Sequence, residues 1–113
     1  SRAVELETQG ARRLFVSGTA SIDPDGNSVH IDDIDAQITL TMRVAHAILA
    51  SRGMDRKDTA RLIAYFKYRK DAPAFARYCA EHGLGDLPAL YTANDICRDD
   101  LLFEIELDAA VKR

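Results

Sequence analysis

The closing stretch "LLFEIELDAAV" (101–111) restricts the fold more than any other part of the chain. Phe103, Ile105 and Leu107 alternate there with Glu104 and Glu106. Successive side chains of a strand point to opposite faces, so this pattern requires a β-strand with one apolar and one acidic face. The apolar face must be covered by other elements. The acidic face looks either at solvent or into a pocket where one carboxylate handles a proton.

The remaining segments alternate between strand and helix patterns. "AVELE", a "TQGARR" turn and "LFVSG" read as an opening hairpin, and "DPDGNS" reads as a loop. Further on, Ile34, Ile38, Met42, Ala45 and Leu49 recur at helical spacing, with Thr41 and Ile48 filling the stripe. Asp32, Asp33 and Asp35 crowd the start of this helix, where carboxylates cap free N–H groups, and Arg52 with Gly53 marks its end.

"TARLIAYFKY" (59–68) predicts a strand covered on both sides. Leu62, Ala64, Phe66 and Tyr68 share one face, and Ile63 and Tyr65 share the other with Arg61 and Lys67. "DAPAFARYCAEHG" (71–83) predicts a second helix with Asp71 as N-cap, Pro73 in the first turn and Gly83 as terminator. Phe75, Tyr78, Cys79 and His82 form its stripe. "ALYTANDIC", "RDD" and "LLFEIELDAAV" then read as a terminal hairpin. The order is ββαβαββ, an α+β fold in which two helices cover one face of a mixed sheet. Two helices leave the other face bare, and self-association is the economical way to cover Ile63 and Tyr65.

At 113 residues, 47% hydrophobic and 29% charged, the chain is expected to form a single domain over residues 1–113. No apolar run approaches the length of a membrane span. A formal net charge of -3 argues against a general nucleic-acid binder, although seven of the fifteen basic residues fall between Arg52 and Lys70. That cluster reads as a solvated surface or as a phosphate-binding patch. Two cysteines make no disulfide framework, and no signal-peptide pattern opens the chain, so a reducing, cytoplasmic setting is expected. The start at "SRAVELETQG", without methionine, is consistent with trimming, a tag or excision from something longer.

Four blocks, "LFVSGTASIDPDG", "DIDAQITLTMRVAHAILASRG", "TARLIAYFKYRKDAPAFARYCAE" and "LLFEIELDAAV", together resemble the Rid family (RidA/YjgF, also called endoribonuclease L-PSP) along nearly the whole chain. The resemblance implies a homotrimer with small-molecule clefts between subunits, and hydrolysis of reactive enamines and imines to keto acids and ammonia. The family's deaminases clamp the substrate carboxylate with an arginine in a "P-A-R-S" segment. Here the matching stretch is "LPALYT", with Ala89 or Leu90 where the arginine belongs. An alkyl group does not replace a bidentate guanidinium, so 2-imino-acid deamination by that route is not expected. The family's late glutamate falls on Glu104.

"DICRDDLLFEIE" with "FVSGTAS" also resembles the C-terminal Rid-like domain of chorismatases. In that subfamily the glutamate matching Glu104 is the acid toward an enol ether, and the cysteine matching Cys97 is linked to which product forms. Chorismatases carry a second Rid-like domain for which 113 residues leave no room.

The expected catalytic residues are therefore Glu104 and Cys97. The expected substrate-binding residues are Ser17, Gly18, Thr19, Tyr91 and Arg98. Ser17, Gly18 and Thr19 sit after the second strand, where the resemblance places ligand contacts. Tyr91 either hydrogen-bonds a carboxylate ligand or packs on its strand, and Arg98 either replaces the missing clamp across a subunit boundary or lies on a solvated hairpin tip. A three-residue loop at 98–100 would turn Cys97 away from Glu104, and one added residue would reverse that. Glu106 is expected to be a solvated or interfacial salt-bridge residue and Cys79 a core residue. No metal is expected, because capping accounts for the carboxylates near His30, and no cofactor is expected.

Two functional classes follow. One is a hydrolase of the Rid type acting on an enol ether, enamine or imine of a carboxylate metabolite. The other is a non-catalytic Rid-like trimer that binds a metabolite or protein partner. An RNase role ranks third, because the chain is acidic and shows no recognisable pair for phosphodiester cleavage.

Overall fold

The computed structural model describes residues 2–8, 10–23, 25–93 and 100–112. The elements are β1 (Arg2–Thr8), β2 (Ala11–Ala20), α1 (Ile34–Ser51), β3 (Thr59–Phe66), α2 (Ala72–Glu81), β4 (Ala89–Ala93) and β5 (Phe103–Lys112), with 3-10 turns at Arg56–Asp58 and Arg69–Asp71. The expected ββαβαββ order and the mixed α+β architecture are both present. No helix among the described residues is long and apolar enough to cross a membrane.

Both helices are built as their sequence signals require. Asp33 is the N-cap of α1, its Oδ1 accepting the Ala36 N–H at 3.0 Å. Asp32 instead takes a left-handed conformation (φ 61°), and Asp35 pairs with Arg77 at 3.6 Å. At the other end Gly53 (φ 68°) donates to the Ala50 carbonyl and Met54 to that of Leu49, a Schellman closure that buries Met54. Gly83 ends α2 in the same way, with the Leu84 N–H reaching the Cys79 carbonyl at 2.7 Å. Asp71 holds the N-cap place of α2 but makes no capping bond with its side chain, because the preceding 3-10 turn already winds into the helix.

The sheet order is β1-β2-β5-β3-β4. β5 runs antiparallel to both β2 and β3, and β4 runs parallel to β3. The terminal hairpin expected between the last two strands does not form, because β3 lies between them. The reason is topological. The connection from β3 through α2 is a crossover that returns β4 parallel on the outer side of β3, leaving the central place to β5. With β3 between β4 and β5, the length of a 98–100 hairpin loop no longer sets which way Cys97 faces, and Cys97 lies outside the described residues.

Both helices pack on one sheet face. Ile38, Met42, Ala45 and Leu49 of α1 and Phe75 and Cys79 of α2 meet Leu14, Val16, Leu62, Ala64, Phe66, Phe103, Ile105 and Leu107. Phe66, Phe75 and Phe103 form an aromatic centre with ring centroids 5.2–6.4 Å apart.

Among the described residues, no element covers the opposite face. Ile63, Tyr65 and Phe15 are half-buried there, while Val4, Leu6 and Leu90 are 59%, 50% and 62% exposed. Within the described chain β3 is covered on its helix face. Tyr68, expected beside Phe66, lies past the strand end and is exposed, with the ammonium groups of Lys67 and Lys70 above its ring.

Candidate active site

The acidic face of β5 occupies the middle of the open sheet face, because β5 is the central strand. Phe103, Ile105 and Leu107 are buried against the helices, and Glu104, Glu106 and Asp108 are half-buried on the open side. Cross-strand register sets their neighbours. Glu104 stands between Ala20 of β2 and Tyr65 of β3, and Tyr65 in turn pairs with Thr92 of β4. One step along, Glu106 pairs with Ile63, which pairs with Leu90.

On the β2 side the ladder is interrupted opposite Glu106. Val16 pairs with Leu107 and Thr19 with Ile105, so three steps on β2 span two on β5. The extra residue is a β-bulge at Ser17–Gly18, and Gly18 takes the left-handed φ of 59° that favours glycine. These residues lie inside β2 and not after it as the sequence reading expected, since the bulge lets the strand continue to Ala20. Ser17 and Gly18 are exposed at this kink. Thr19 turns to the helix side, where it is 6% exposed, and its hydroxyl has no partner among the described residues.

Two further contacts tie down the acidic row. The Tyr65 hydroxyl donates to Glu106 Oε1 at 2.5 Å, and Arg61 Nη2 lies 3.3 Å from Asp108 Oδ2. The bond to Glu106 is the main reason that the Tyr65 phenol is held above its ordinary value of 10.0, followed by burial and by the charges of Glu106 and Glu104, with Arg61 opposing. Tyr65 thus keeps its proton through neutral pH and remains a donor. Neither its contact with Glu106 nor a pairing role for Glu106 within the chain was legible in the sequence; the signal available was that Tyr65 shares strand parity with Ile63.

Tyr91 sits on the other side of the sheet. It pairs with Ala64, its ring stacks on Phe66 at 5.8 Å and meets Phe75 at 5.5 Å, and burial raises its phenol. The sheet separates it from Glu104 within one chain. A cavity of about 300 Å³ beside it is lined by Phe66, Arg69, Ala72, Tyr91, Thr92 and Ala93. Cys79 is a buried core thiol, as expected, and burial pushes it above its ordinary value. Arg98, like Cys97, lies outside the described residues.

No family model matches the chain. It is 31% identical over 121 residues to a 3-hydroxybenzoate synthase of Streptomyces hygroscopicus, a match that takes in 94% of this chain and 35% of the relative. A crystal structure of a chorismatase superimposes with a TM-score of 0.82 at 27% identity, covering 96% of this chain and 35% of the other. The chain spans about a third of the length of each. A Thermotoga maritima protein solved as a candidate endoribonuclease superimposes with a TM-score of 0.83 at 23% identity, covering 100% of this chain and 87% of that one. The same architecture recurs in solved members of the conserved Rid protein family. The chain is a Rid-fold protein.

Placed on this Rid fold, the residues singled out by resemblance divide into groups. Glu104 and Ser17 share the open face, with Gly18 at the bulge; of the two positions matching the deaminases' arginine, Leu90 lies on that face, at the outer end of the row through Ile63 to Glu106, and Ala89 pairs with Leu62 on the helix side. Thr19 and Tyr91 belong to the helix side.

Proposed function

We propose that this Rid-fold chain is a small-molecule enzyme acting on an enol ether, enamine or imine of a carboxylate metabolite, with Glu104 as acid–base in a cleft between copies of a homotrimer. The observation that carries this reading is the position of Glu104, half-buried at the centre of a sheet face that no described element covers, paired with Tyr65 on one side and with Ala20, just past the β2 bulge, on the other. The likeness to a 3-hydroxybenzoate synthase and a chorismatase over nearly the whole chain supports enol-ether chemistry.

For an enol ether the steps balance with water alone. The Glu104 carboxyl delivers its proton to the terminal carbon of the enolpyruvyl group, water adds to the resulting oxocarbenium carbon, and the hemiketal breaks to pyruvate and an alcohol. The glutamate regains its proton as the water is deprotonated. A second copy laid over this face would exclude water, and exclusion of water favours a neutral carboxylic acid over a carboxylate. With an alkyl side chain, Ala89 or Leu90, in the clamp position, Arg98 or a cation of a neighbouring copy would hold the substrate carboxylate.

The experiment is to incubate the oligomer with chorismate and follow pyruvate release and aromatic products, beside Glu104→Gln. Turnover lost in the variant supports the reading. Turnover that is absent, or equal in the variant, favours a second reading, a non-catalytic trimer that binds a metabolite or protein partner. The stretch "LPALYT" speaks for that side, because Ala89 or Leu90 stands where the family's deaminases carry a guanidinium.

A further inference from the structure

Gln37 is wholly buried on the apolar stripe of α1, beside Ile38 and Thr41, yet its amide is bonded at both ends. Its Nε2 donates to the carbonyls of His30 and Asp100, each at 3.1 Å, and its Oε1 accepts the N–H of Leu102 at 2.8 Å. One side chain therefore joins three parts of the chain: the loop before α1, the helix itself and the residues that lead into β5.

The two ends of this junction need holding for different reasons. His30 and Asp32 both take left-handed backbone conformations, φ 58° and 61°, and the His30 carbonyl that Gln37 engages also accepts the Asp33 N–H at 3.1 Å. Leu102 is gripped on both sides, its N–H by Gln37 and its carbonyl by the Lys67 N–H at 3.0 Å. Leu102 lies two residues before Glu104, so the point at which β5 enters the sheet sets which row Glu104 occupies. A slip of one residue would turn Glu104 to the helix side.

An apolar residue would pack equally well on this stripe, and a buried amide is tolerated only when its bonds are made. We propose that Gln37 is a positioning residue of the Glu104 site, fixing the entry of β5 and thereby the placement of the Glu104 carboxylate beside Tyr65. This rests on the enzymatic reading of Glu104 for its catalytic consequence, and on the hydrogen bonds alone for its structural one.

The test compares the full-length wild type with Gln37→Leu and Gln37→Glu. Amide hydrogen exchange is followed at Leu102 and in the β1–β2 hairpin, the Glu104 and Glu106 carboxyls are titrated by carbon-13 NMR, and kcat and KM are measured on whichever substrate the wild type turns over. Gln37→Leu is expected to speed exchange at Leu102 roughly tenfold or more while the hairpin amides stay as they were. The Glu104 titration midpoint is expected to move by at least about 0.5 pH unit. With KM little changed, kcat is expected to fall on the order of 10-fold to 100-fold.

Gln37→Glu keeps an acceptor for Leu102 but loses both donors at neutral pH and regains one on protonation, so its Leu102 exchange, referred to wild type at the same pH, is expected to return toward the wild-type rate in acid. It also serves if Gln37→Leu does not fold. An unmoved Glu104 midpoint in a folded variant, or a uniform loosening of all strands, overturns the proposal. If the wild type turns over no such substrate, the enzymatic reading fails by itself, and exchange and titration still decide the role of Gln37.

Discussion

The hydroxyl of Tyr65 on β3 donates to the Glu106 carboxylate on β5 at 2.5 Å, reaching one step along the ladder from its register partner, Glu104. Glu106 thus has a proton-bearing partner built into the next strand, which holds its carboxylate in place, and Glu104 is the register partner of the same tyrosine.

Removing the phenol hydroxyl tests this pair. Tyr65→Phe is expected to destabilise the fold by about 0.5–1.5 kcal/mol, toward the lower end because the side chain is half exposed. The sign with pH follows from the raised folded value of Tyr65: its contribution is full below the ordinary value of 10.0 and is lost as pH rises through the folded value above it. Thermal melts of wild type and variant should therefore differ at pH 8 and converge in strong alkali.

The two glutamates should separate in activity. Glu104→Gln is expected to lower kcat on the order of 10²-fold to 10⁴-fold, the range of a lost general acid. Glu106→Gln keeps a partner for Tyr65 and should cost far less. Pyruvate release from chorismate measures both, and equal losses would remove the special role of Glu104.

Leu90 offers a gain-of-function test. Its row runs through Ile63 to Glu106, and the side chain is 62% exposed, so an arginine fits there without disturbing the core. Leu90→Arg should tighten binding of benzoate or a keto acid roughly tenfold through a charge-assisted bond. Calorimetric titration of the purified protein checks it, and unchanged affinity would mean that this row does not face the ligand.

Cys79 should be inert. With Cys97 replaced by serine, the folded protein is expected to react with a disulfide reagent far more slowly than in urea, because burial both blocks the thiol and raises its pKa. Rapid labelling at neutral pH would show that α2 opens easily.

Much of this architecture could be read from residue patterns because local physics sets it. The 3.6-residue stripe of α1, the glycines at 53 and 83 that close both helices, and the alternation in 101–111 each depend on neighbours a few residues away. Gln37 was passed over for the same reason: on the stripe it looks like an interruption, and its three partners lie up to 65 residues away.

Alternation along 101–111 alone puts Glu104 and Glu106 on a face opposite Phe103, Ile105 and Leu107, since strand geometry permits nothing else. What that face meets depends on the order of strands in the sheet. The parallel crossover through α2 carried β4 to the far side of β3 and gave β5 the centre of the sheet. That placed the bulge of β2 on one side of the acidic row and Tyr65 on the other, and put Tyr91 behind the sheet. Alternation along a strand says which side chains travel together. The choice of neighbouring strands rests on contacts between residues far apart in the chain, and no local pattern encodes it.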